Sequence, residues 1–281
     1  MTQPSVGQII TLLEMSESTV GGLMEPIRDA SDDILGKIDI VLTDVDDTLT
    51  RDGRLAGETL TVLDRLQRSG VRVIPATAAS AGWASLMIHM WPVDGVVAEN
   101  GGLYFHRAAN GMVQCSYGHE GPETAGSLLD LESGLRRRFP SLEAADDRAY
   151  RETCLAFRRP AEPELAAQIL DHLAGIGGGG TVNSLWLLAW LGSRDKLAMA
   201  RRMLAEVFGL DIALVRDRIL YVGDSENDEP MFRFFPFSVG VSTVVGHPLI
   251  DWPRWVTEGA GGDGFVEVAD RLIAARSTAR R

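Results

Sequence analysis

A short apolar segment of the chain runs directly into a cluster of acids. Residues Ile38-Asp39-Ile40-Val41-Leu42-Thr43 form a β-branched run that predicts a buried strand, and Asp44-Val45-Asp46-Asp47 follow at once. Three carboxylates in four residues would repel one another in an apolar setting. They become tolerable around a divalent cation, and Mg²⁺ prefers hard oxygen ligands of this kind. The competing interpretation is a polar strand-to-helix turn, in which Asp and Thr act as caps.

Strands and helices alternate along both ends of the chain. After the first strand, the pattern predicts a helix through Leu60, Leu63 and Leu66, a strand at 71–75, a helix at 80–90 and a strand at 95–98. Near the C-terminus it predicts a helix at 195–208, a strand at 218–222 and helices at 229–235 and 265–275. Such alternation favours right-handed βαβ crossovers. The predicted fold class is therefore α/β, with a Rossmann-like doubly wound parallel sheet built from both ends.

A second acidic loop follows the predicted strand at 218–222. Its sequence is Gly223-Asp224-Ser225-Glu226-Asn227-Asp228, in which Gly223 permits a tight turn. Open parallel sheets place their ligands at the carboxyl ends of their strands. Asp224 and Asp228 can therefore reach the same cation as Asp44. Two acidic loops at one sheet edge are much harder to explain as turns than one.

Two single residues add to this pattern. Thr77 follows the strand at 71–75 and offers a hydroxyl and a backbone N–H to an anion. Lys196 opens a helix and offers positive charge to a phosphate. Each residue is commonplace by itself. Their order along the chain and their placement at element ends are what make them candidates.

The remaining segments differ in sequence pattern from the two parts of the chain that form the predicted sheet. Residues 104–192 predict a separate α+β domain inserted into a core of 37–103 and 193–281, with strands at 154–157 and 185–191, helices at 124–139 and 163–173, and a loop at 177–180. Residues 1–36 predict a helical extension of one or two amphipathic helices, from Ile9, Ile10 and Leu13 and from Leu23, Met24 and Ile27. The extension is a candidate surface for packing on the body or for a homodimer.

Composition excludes several classes of protein. The formal charge is −12, from 27 Lys and Arg against 39 Asp and Glu, which argues against a general nucleic-acid binder. The longest apolar run, residues 185–191, is far shorter than the roughly 20 residues of a membrane helix. Cys115 and Cys154 are the two cysteines and form no C-x-x-C pair. A cytoplasmic protein without a membrane or nucleic-acid partner is the expectation.

The motifs in their order resemble those of a known enzyme superfamily. Asp44-x-Asp46-x-Thr48, Thr77, Lys196 and Gly223-Asp224-Ser225-x-Asn227-Asp228 are similar to the four motifs of the haloacid dehalogenase (HAD) superfamily. Glu99-Asn100-Gly101 and the insertion between the second and third motifs narrow the resemblance to members with a C2-type cap. These include the Cof-type, sucrose-phosphate and mannosyl-phosphoglycerate phosphatases and the eukaryotic-type phosphomannomutases. The resemblance covers about residues 37–275 and is specific in the core alone.

The resemblance implies a Mg²⁺-dependent phosphatase acting on a small phosphorylated metabolite, expected to be a sugar phosphate. Asp44 would be the nucleophile that forms an aspartyl phosphate, and Asp46 would be the general acid and base. The implied metal ligands are Asp44, the Asp46 backbone carbonyl, Asp224 and Asp228. The implied phosphate-binding residues are Thr77, Lys196 and Asn227, with Asn227 orienting Lys196 or the acidic loop.

Two alternatives remain open. Phosphomannomutase-like transfer would share the aspartyl phosphate, but the loop from Gly223 to Asp228 lacks the longer glycine-containing loop of those enzymes. A catalytically silent relative that binds a phosphorylated ligand would be expected to lack Asp44 or Asp46, and both are present. The phosphatase is therefore preferred.

The sequence also departs from the family pattern. Asp47 stands where family members most often carry Gly, and we expect it to cap the turn. Thr77 is followed by Ala78-Ala79 instead of Gly-Arg, so the substrate of Cof-type relatives cannot be transferred. In the predicted cap, Trp186 and Trp190 are expected to pack in a core. The candidate contacts to a substrate there are Arg151, Arg158, Arg159 and His119.

Overall fold

The computed structural model describes residues 24–118, 125–183 and 185–279. Its strands are β1 (Glu25–Pro26), β2 (Ile40–Thr43), β3 (Thr50–Arg51), β4 (Arg54–Leu55), β5 (Arg72–Pro75), β6 (Gly95–Ala98), β7 (Leu103–Arg107), β8 (Val113–Tyr117), β9 (Leu155–Arg158), β10 (Gly178–Val182), β11 (Trp186–Leu191), β12 (Ile219–Gly223), β13 (Ser238–Gly240) and β14 (Trp255–Val256). Its helices are α1 (Asp32–Leu35), α2 (Gly57–Arg68), α3 (Ala81–Met90), α4 (Ala125–Arg138), α5 (Pro163–Gly175), α6 (Lys196–Phe208), α7 (Ile212–Val215), α8 (Glu229–Phe234) and α9 (Gly261–Ala279). Within these ranges, none of the helices combines the length and the apolarity needed to span a bilayer.

A six-stranded parallel sheet forms the centre of the fold, in the order β1-β14-β13-β12-β2-β5. Every residue of its strands β2, β12 and β13 is buried. On β2, Val41 packs with α2, α3 and α9, whereas Ile40 and Leu42 pack on the opposite side with α6 and α8. This alternation follows from the two-residue period of a strand. The predicted α/β fold with a doubly wound parallel sheet is confirmed.

The edges of the sheet differ from the sequence-based expectation. Strand β6 was expected to continue the parallel sheet, but a single bridge between Ala76 and Val97 links it to the neighbouring chain segment. It forms instead an antiparallel sheet with β7 and β8. The opposite edge is extended by β13, β14 and β1, which the sequence pattern did not predict. These strands have only two or three residues, too few to show a period.

The second amphipathic helix predicted for the N-terminal extension does not form in the described residues. Met24 is followed by β1 and by a 3₁₀ turn at Ile27–Asp29. In the described part of the extension, the four-residue α1 is the only α-helix. Pro26 explains the difference, because proline disfavours helical backbone in the residue before it. Met24 and Ile27 are buried all the same, on the two faces of the sheet. The helix predicted from Ile9, Ile10 and Leu13 lies outside the described residues.

An antiparallel sheet of order β10-β11-β9 forms the cap, with α4 and α5 packed on it. Residues 177–180 were predicted to be a loop, but Gly178, Gly179 and Gly180 belong to β10. A Cβ on Gly179 would lie 2.5 Å from Nε1 of Trp190, and one on Gly180 would lie 2.7 Å from Leu170. These glycines therefore permit close packing and do not mark a turn. The predicted domain boundaries at 104 and 192 stay predictions. Leu103 and Phe105, on either side of the first boundary, pack in the same hydrophobic cluster of the core.

A buried glutamate joins the core to the cap. Glu99 follows β6 and begins three successive residues with positive φ, Glu99 at 50°, Asn100 at 55° and Gly101 at 95°. Its Oε1 accepts hydrogen bonds from the backbone of Ala81 and Glu152, at 3.0 and 2.9 Å. Its Oε2 accepts three more from Thr153 and Cys154, at 2.6 to 2.9 Å. One carboxyl group therefore ties α3 to the cap segment before β9.

We expect Glu99→Gln to destabilise the folded chain by about 2 to 4 kcal/mol. The amide nitrogen would face N–H donors, and each buried donor left without an acceptor costs about 1–3 kcal/mol. The shift of the urea unfolding midpoint measures this loss. Glu58→Gln, the same change at an exposed position of α2, is the control and should cost less than about 0.5 kcal/mol. Equal midpoints for the two variants would contradict the structural role of Glu99.

Candidate active site

The centre of the site is an ion pair between Asp44 and Lys196. Asp44 follows β2, and its backbone N–H donates to the Val222 carbonyl at 2.9 Å, which ties it to β12. Lys196 is the first residue of α6, whose N-terminus is capped by the Asp195 side chain on the N–H of Ala198. The Lys196 Nζ lies 2.6 Å from Oδ1 of Asp44, and both side chains are buried. Residues 152 positions apart thus meet at one sheet edge.

Asp228 is the most heavily bonded carboxyl group of the site. Its Oδ1 accepts hydrogen bonds from the Lys196 ammonium at 3.1 Å and from the Tyr221 hydroxyl at 2.5 Å. Its Oδ2 accepts from the backbone N–H of Asp224 at 3.0 Å and of Ser225 at 3.3 Å. A Cβ on Gly223 would lie 2.5 Å from this Oδ2. Gly223 is therefore required by the close approach of the carboxyl group.

Asp44, Asp224 and Asp228 together form a buried cluster of carboxyl groups. One oxygen from each lies within 4.8 Å of the others. Burial, followed by the nearby Asp228 and Asp44, raises the pKa of Asp224 to about 9. Burial likewise raises the pKa of Asp44 to about 7, although Lys196 opposes this. Hard oxygen donors at this spacing fit a divalent cation such as Mg²⁺, which would offset the excess negative charge.

Lys196 stays protonated in this setting. Burial lowers the pKa of its ammonium group, but the charges of Asp228 and Asp44 outweigh that effect and raise the pKa above its ordinary value. The cluster thus holds one fixed positive charge against three carboxyl groups.

Asp46 and Asp47 occupy the turn after Asp44. Asp46 is partly buried and lines the central cavity, and burial raises its pKa while Lys196 opposes the shift. Asp47 has a φ of 56°, in the left-handed region that favours Gly and tolerates Asp. Its N–H donates to the Thr50 hydroxyl at 3.2 Å. The backbone conformation thus accounts for the departure from the family pattern at this position.

Thr77 and Asn227 are held differently from the expectation. The Thr77 N–H was expected to face an anion, but it donates to the Val97 carbonyl at 2.9 Å because of the bridge between β6 and the chain after β5. The Thr77 hydroxyl accepts from the N–H of Ala79 at 3.0 Å. The Asn227 amide oxygen accepts from the hydroxyl of Thr181 on β10 at 3.3 Å. Asn227 therefore links the acidic loop to the cap.

A cavity of about 150 Å³ lies between the acidic loops and the cap. The core lines it with acids and Asn227, and the cap lines it with Arg159, Val182 and Asn183. Glu226 and His247 complete the rim and contact each other at 3.4 Å. Sequence reasoning missed Val182, Asn183, Glu226 and His247 as cavity residues. Val182, Asn183 and His247 stand in no motif that could have indicated this role, whereas Glu226 belongs to the acidic loop between Gly223 and Asp228.

The structure separates the arginines that the sequence could not rank. Arg151 is buried, pairs with Asp147 at 2.8 Å and donates to the Ala78 carbonyl at 3.1 Å. Arg158 is exposed and pairs with Glu143 at 3.4 Å. Arg159 alone of these three lines the cavity. The fourth candidate contact, His119, lies outside the described residues.

Trp190 has the packing role expected for it. It is buried with Ala78, Cys154 and Leu188, and Trp186 packs against this group. Because Ala78 belongs to the core, the small cluster also joins the core to the cap.

Comparisons with known proteins identify the fold. No protein family profile and no curated protein matches the sequence. Among solved structures, a HAD superfamily phosphatase of Bacteroides thetaiotaomicron is similar at 18% identity and a TM-score of 0.60, over 84% of this chain and 96% of the other. The sucrose-phosphatase of Synechocystis, solved with sucrose and phosphate, is similar at 16% identity and a TM-score of 0.58, over 83% and 97%.

The C-terminal domain of Candida albicans trehalose-6-phosphate phosphatase is similar at 13% identity and a TM-score of 0.64. It is matched over 89% of this chain and 99% of the other. Likeness at such identities establishes architecture, which is conserved further than activity or substrate. The chain therefore has the fold of the haloacid dehalogenase superfamily phosphatases that carry a C2-type cap.

Proposed function

We propose that the protein is a Mg²⁺-dependent phosphatase that hydrolyses a small phosphate monoester through an aspartyl phosphate on Asp44. The observation that supports this most is the buried Lys196 ammonium between Asp44 and Asp228, directly beneath the Asp44 side chain that lines a cavity. An anionic nucleophile can approach an anionic phosphate only where fixed positive charge offsets their repulsion. The three-carboxyl cluster supplies the site for a second positive charge, that of the cation.

The first half of the reaction transfers the phosphoryl group to Asp44. A carboxylate oxygen of Asp44 attacks phosphorus, a new O–P bond forms, and the ester O–P bond breaks. Asp46 donates its proton to the departing ester oxygen, which leaves as an alcohol. The pKa of Asp46, raised by burial, suits a group that must hold this proton. Lys196 donates a hydrogen bond to Oδ1 of Asp44 that keeps this carboxyl group oriented.

The second half returns the enzyme to its starting state. Asp46, now deprotonated, takes a proton from water, and the water oxygen attacks phosphorus. The O–P bond to Asp44 breaks, and inorganic phosphate leaves. Thr77 and Lys196 are the proposed holders of the phosphoryl oxygens, the former through its hydroxyl. Asn227 would fix the acidic loop against the cap through Thr181.

The cation would be held by Asp44, Asp224 and Asp228, with the Asp46 backbone carbonyl as a further ligand. When bound, Mg²⁺ neutralises charge on the transferring phosphoryl group. The small cavity and its polar lining support a small substrate, and we propose a sugar phosphate. Solved proteins of this fold include enzymes whose names specify sucrose phosphate or trehalose 6-phosphate chemistry. A cytoplasmic location, a homodimer and the domain boundaries at 37, 104 and 193 stay predictions.

Asp44→Asn should abolish phosphate release from every ester that the native protein hydrolyses. The amide keeps an oxygen for Lys196 but is no nucleophile, so we expect a loss of about a thousandfold or more. Colorimetric phosphate release from a panel of sugar phosphates and other esters, with Mg²⁺ and with EDTA, measures it. Asp64→Asn, the same change on the exposed side of α2, is the control and should match the native protein.

The same panel separates the alternatives. A mutase would convert one sugar phosphate into an isomer without releasing phosphate. A silent relative would be stabilised thermally by an ester without changing it. Either result would contradict the phosphatase, as would full activity of Asp44→Asn.

Mg²⁺ should stabilise the protein more at high pH than at low pH. The raised pKa values of Asp44, about 7, and Asp224, about 9, mean that the metal-free folded chain binds more protons there than the unfolded chain. The metal-free protein therefore becomes less stable as the pH rises through the pKa values of these two carboxyl groups. Over the same range, fewer protons compete with Mg²⁺ for the carboxyl oxygens. Melting temperatures with Mg²⁺ and with EDTA, at about pH 6 and about pH 9, measure the effect.

In that experiment, Asp224→Asn is the control for the site. It should remove most of the increment that Mg²⁺ adds at the higher pH. An increment that is the same at both pH values in the native protein would contradict the assignment of these carboxyl groups.

Tyr221→Phe should weaken Mg²⁺ binding by about tenfold to a hundredfold, because partners of metal ligands fix ligand geometry. Tyr221 is a positioning residue: its hydroxyl holds Asp228, while its buried ring packs against Phe232 and Phe235. Calorimetric titration with Mg²⁺ measures the affinity, and saturating Mg²⁺ should restore most of kcat. Tyr104→Phe, which removes a hydroxyl bonded to Glu206, is the matched control and should bind Mg²⁺ normally. Equal affinities in both variants would refute the role of Tyr221.

A further inference from the structure

Arg159 and Asn183 form one polar unit on the cap side of the cavity. Arg159 follows β9 and Asn183 follows β10, so both stand where cap strands end. The Arg159 Nη1 donates to the Asn183 backbone carbonyl at 3.2 Å. The Arg159 backbone N–H donates to the Leu185 carbonyl at 3.1 Å. The guanidinium is therefore anchored to the segment that also carries Asn183, and both residues line the cavity.

The side chains of this unit present only hydrogen-bond donors to the cavity. The Asn183 amide oxygen accepts from the backbone N–H of Leu185 at 3.0 Å and of Trp186 at 2.7 Å. These two bonds use both lone pairs of the oxygen and fix which side of the amide faces them. Asn183 can therefore present only its NH₂ group to a ligand. A guanidinium also has no hydrogen-bond acceptor. The two side chains together therefore favour a ligand group that accepts hydrogen bonds and donates none.

The charges around the cavity favour an anion at this place. The core side carries Asp44, Asp46, Asp224 and Glu226, and His247 lies against Glu226 at 3.4 Å. The phosphoryl end of a substrate is served by Lys196 beneath Asp44. Arg159, whose side chain is exposed, is the one Lys or Arg among the residues that line the cavity, and it can attract a second negative charge of a substrate on the opposite wall.

We propose that Arg159 and Asn183 bind a second anionic group of the substrate, either a carboxylate or a second phosphoryl group. The inference rests on the proposed phosphatase function and narrows it. Among sugar-like phosphates, it selects phosphorylated sugar acids and bisphosphates over phosphorylated neutral sugars. Arg159 supplies the charge, and Asn183 adds a hydrogen bond that fixes the orientation of the group.

Matched pairs of esters test the proposal by turnover. One pair is glycerol phosphate and phosphoglycerate, which differ in a carboxylate, and the other is fructose monophosphate and fructose bisphosphate. We expect the native protein to favour the more charged member of at least one pair by about tenfold or more in kcat/KM. The pair that shows the preference identifies which anionic group is bound.

Three variants assign the preference to the residues. Arg159→Gln should remove it by lowering kcat/KM for the charged member by about tenfold or more, with the neutral member nearly unchanged. Asn183→Asp keeps the oxygen that Leu185 and Trp186 hold but replaces the NH₂ donor by an acceptor, and it should also lower turnover of the charged member. Arg158→Gln is the control, because Arg158 pairs with Glu143 on the exposed face, and it should keep the native preference.

A binding measurement separates this proposal from the phosphatase itself. Calorimetry on Asp44→Asn protein with Mg²⁺ compares the same pairs without turnover, alone and combined with Arg159→Gln. If no ester releases phosphate, the proposed function fails, and the binding preference still decides the role of Arg159. Absence of a preference for the charged member in both pairs would overturn the proposal. An equal loss of both members in Arg159→Gln would overturn it too.

Discussion

One buried ammonium group, that of Lys196, makes the arrangement of acids in this fold possible. Asp44 and Asp228 both contact it, and their burial without it would cost several kcal/mol for each charge. The parallel pairing of β2 with β12 brings the ends of these strands to the same edge, where the two acidic loops meet. Helix α6 then presents Lys196 to both loops from its first turn. Burial and the neighbouring acids raise the pKa of the third carboxyl group, Asp224, to about 9, and a divalent cation would replace its proton, so structure and chemistry depend on the same charge balance.

Glu99 represents the other way to bury a carboxyl group. It is fully buried like Asp228, but it accepts five hydrogen bonds, four of them from the cap segment at Glu152, Thr153 and Cys154. No cation is needed, and the result is a fixed joint instead of a reactive centre. Because this joint sets the position of β9, it also sets how far Arg159 stands from Asp44. The proposed recognition of substrate by Arg159 thus depends on Glu99, which does not line the cavity.

Local patterns in the sequence predicted most of the core and its acids. β2 and β12 are short apolar runs that end at acidic residues, and α6 begins after a capping Asp195 and ends at Gly209. Hydrophobic periodicity and the residues at element ends were therefore enough to predict these three elements. Two of the failures share a cause, which is that tertiary contacts decided the outcome. The glycines of β10 serve the packing of Trp190, and the Thr77 N–H is taken by Val97. Arg151, Arg158 and Arg159 are alike in sequence terms and differ only in what surrounds them.

The charges around the cavity indicate which substrates it would favour. Its charged lining residues are mainly acidic, so attraction for the proposed phosphate ester has to come from two places: the floor, where the candidate cation site lies with Lys196 beneath Asp44, and the roof, where Arg159 lies. The formal charge of −12 on the whole chain does not oppose this, because charges close to the substrate outweigh distant ones that solvent screens. A substrate with negative charge at both ends matches both attractive places. A substrate with charge at one end matches the floor alone and gains nothing from Arg159.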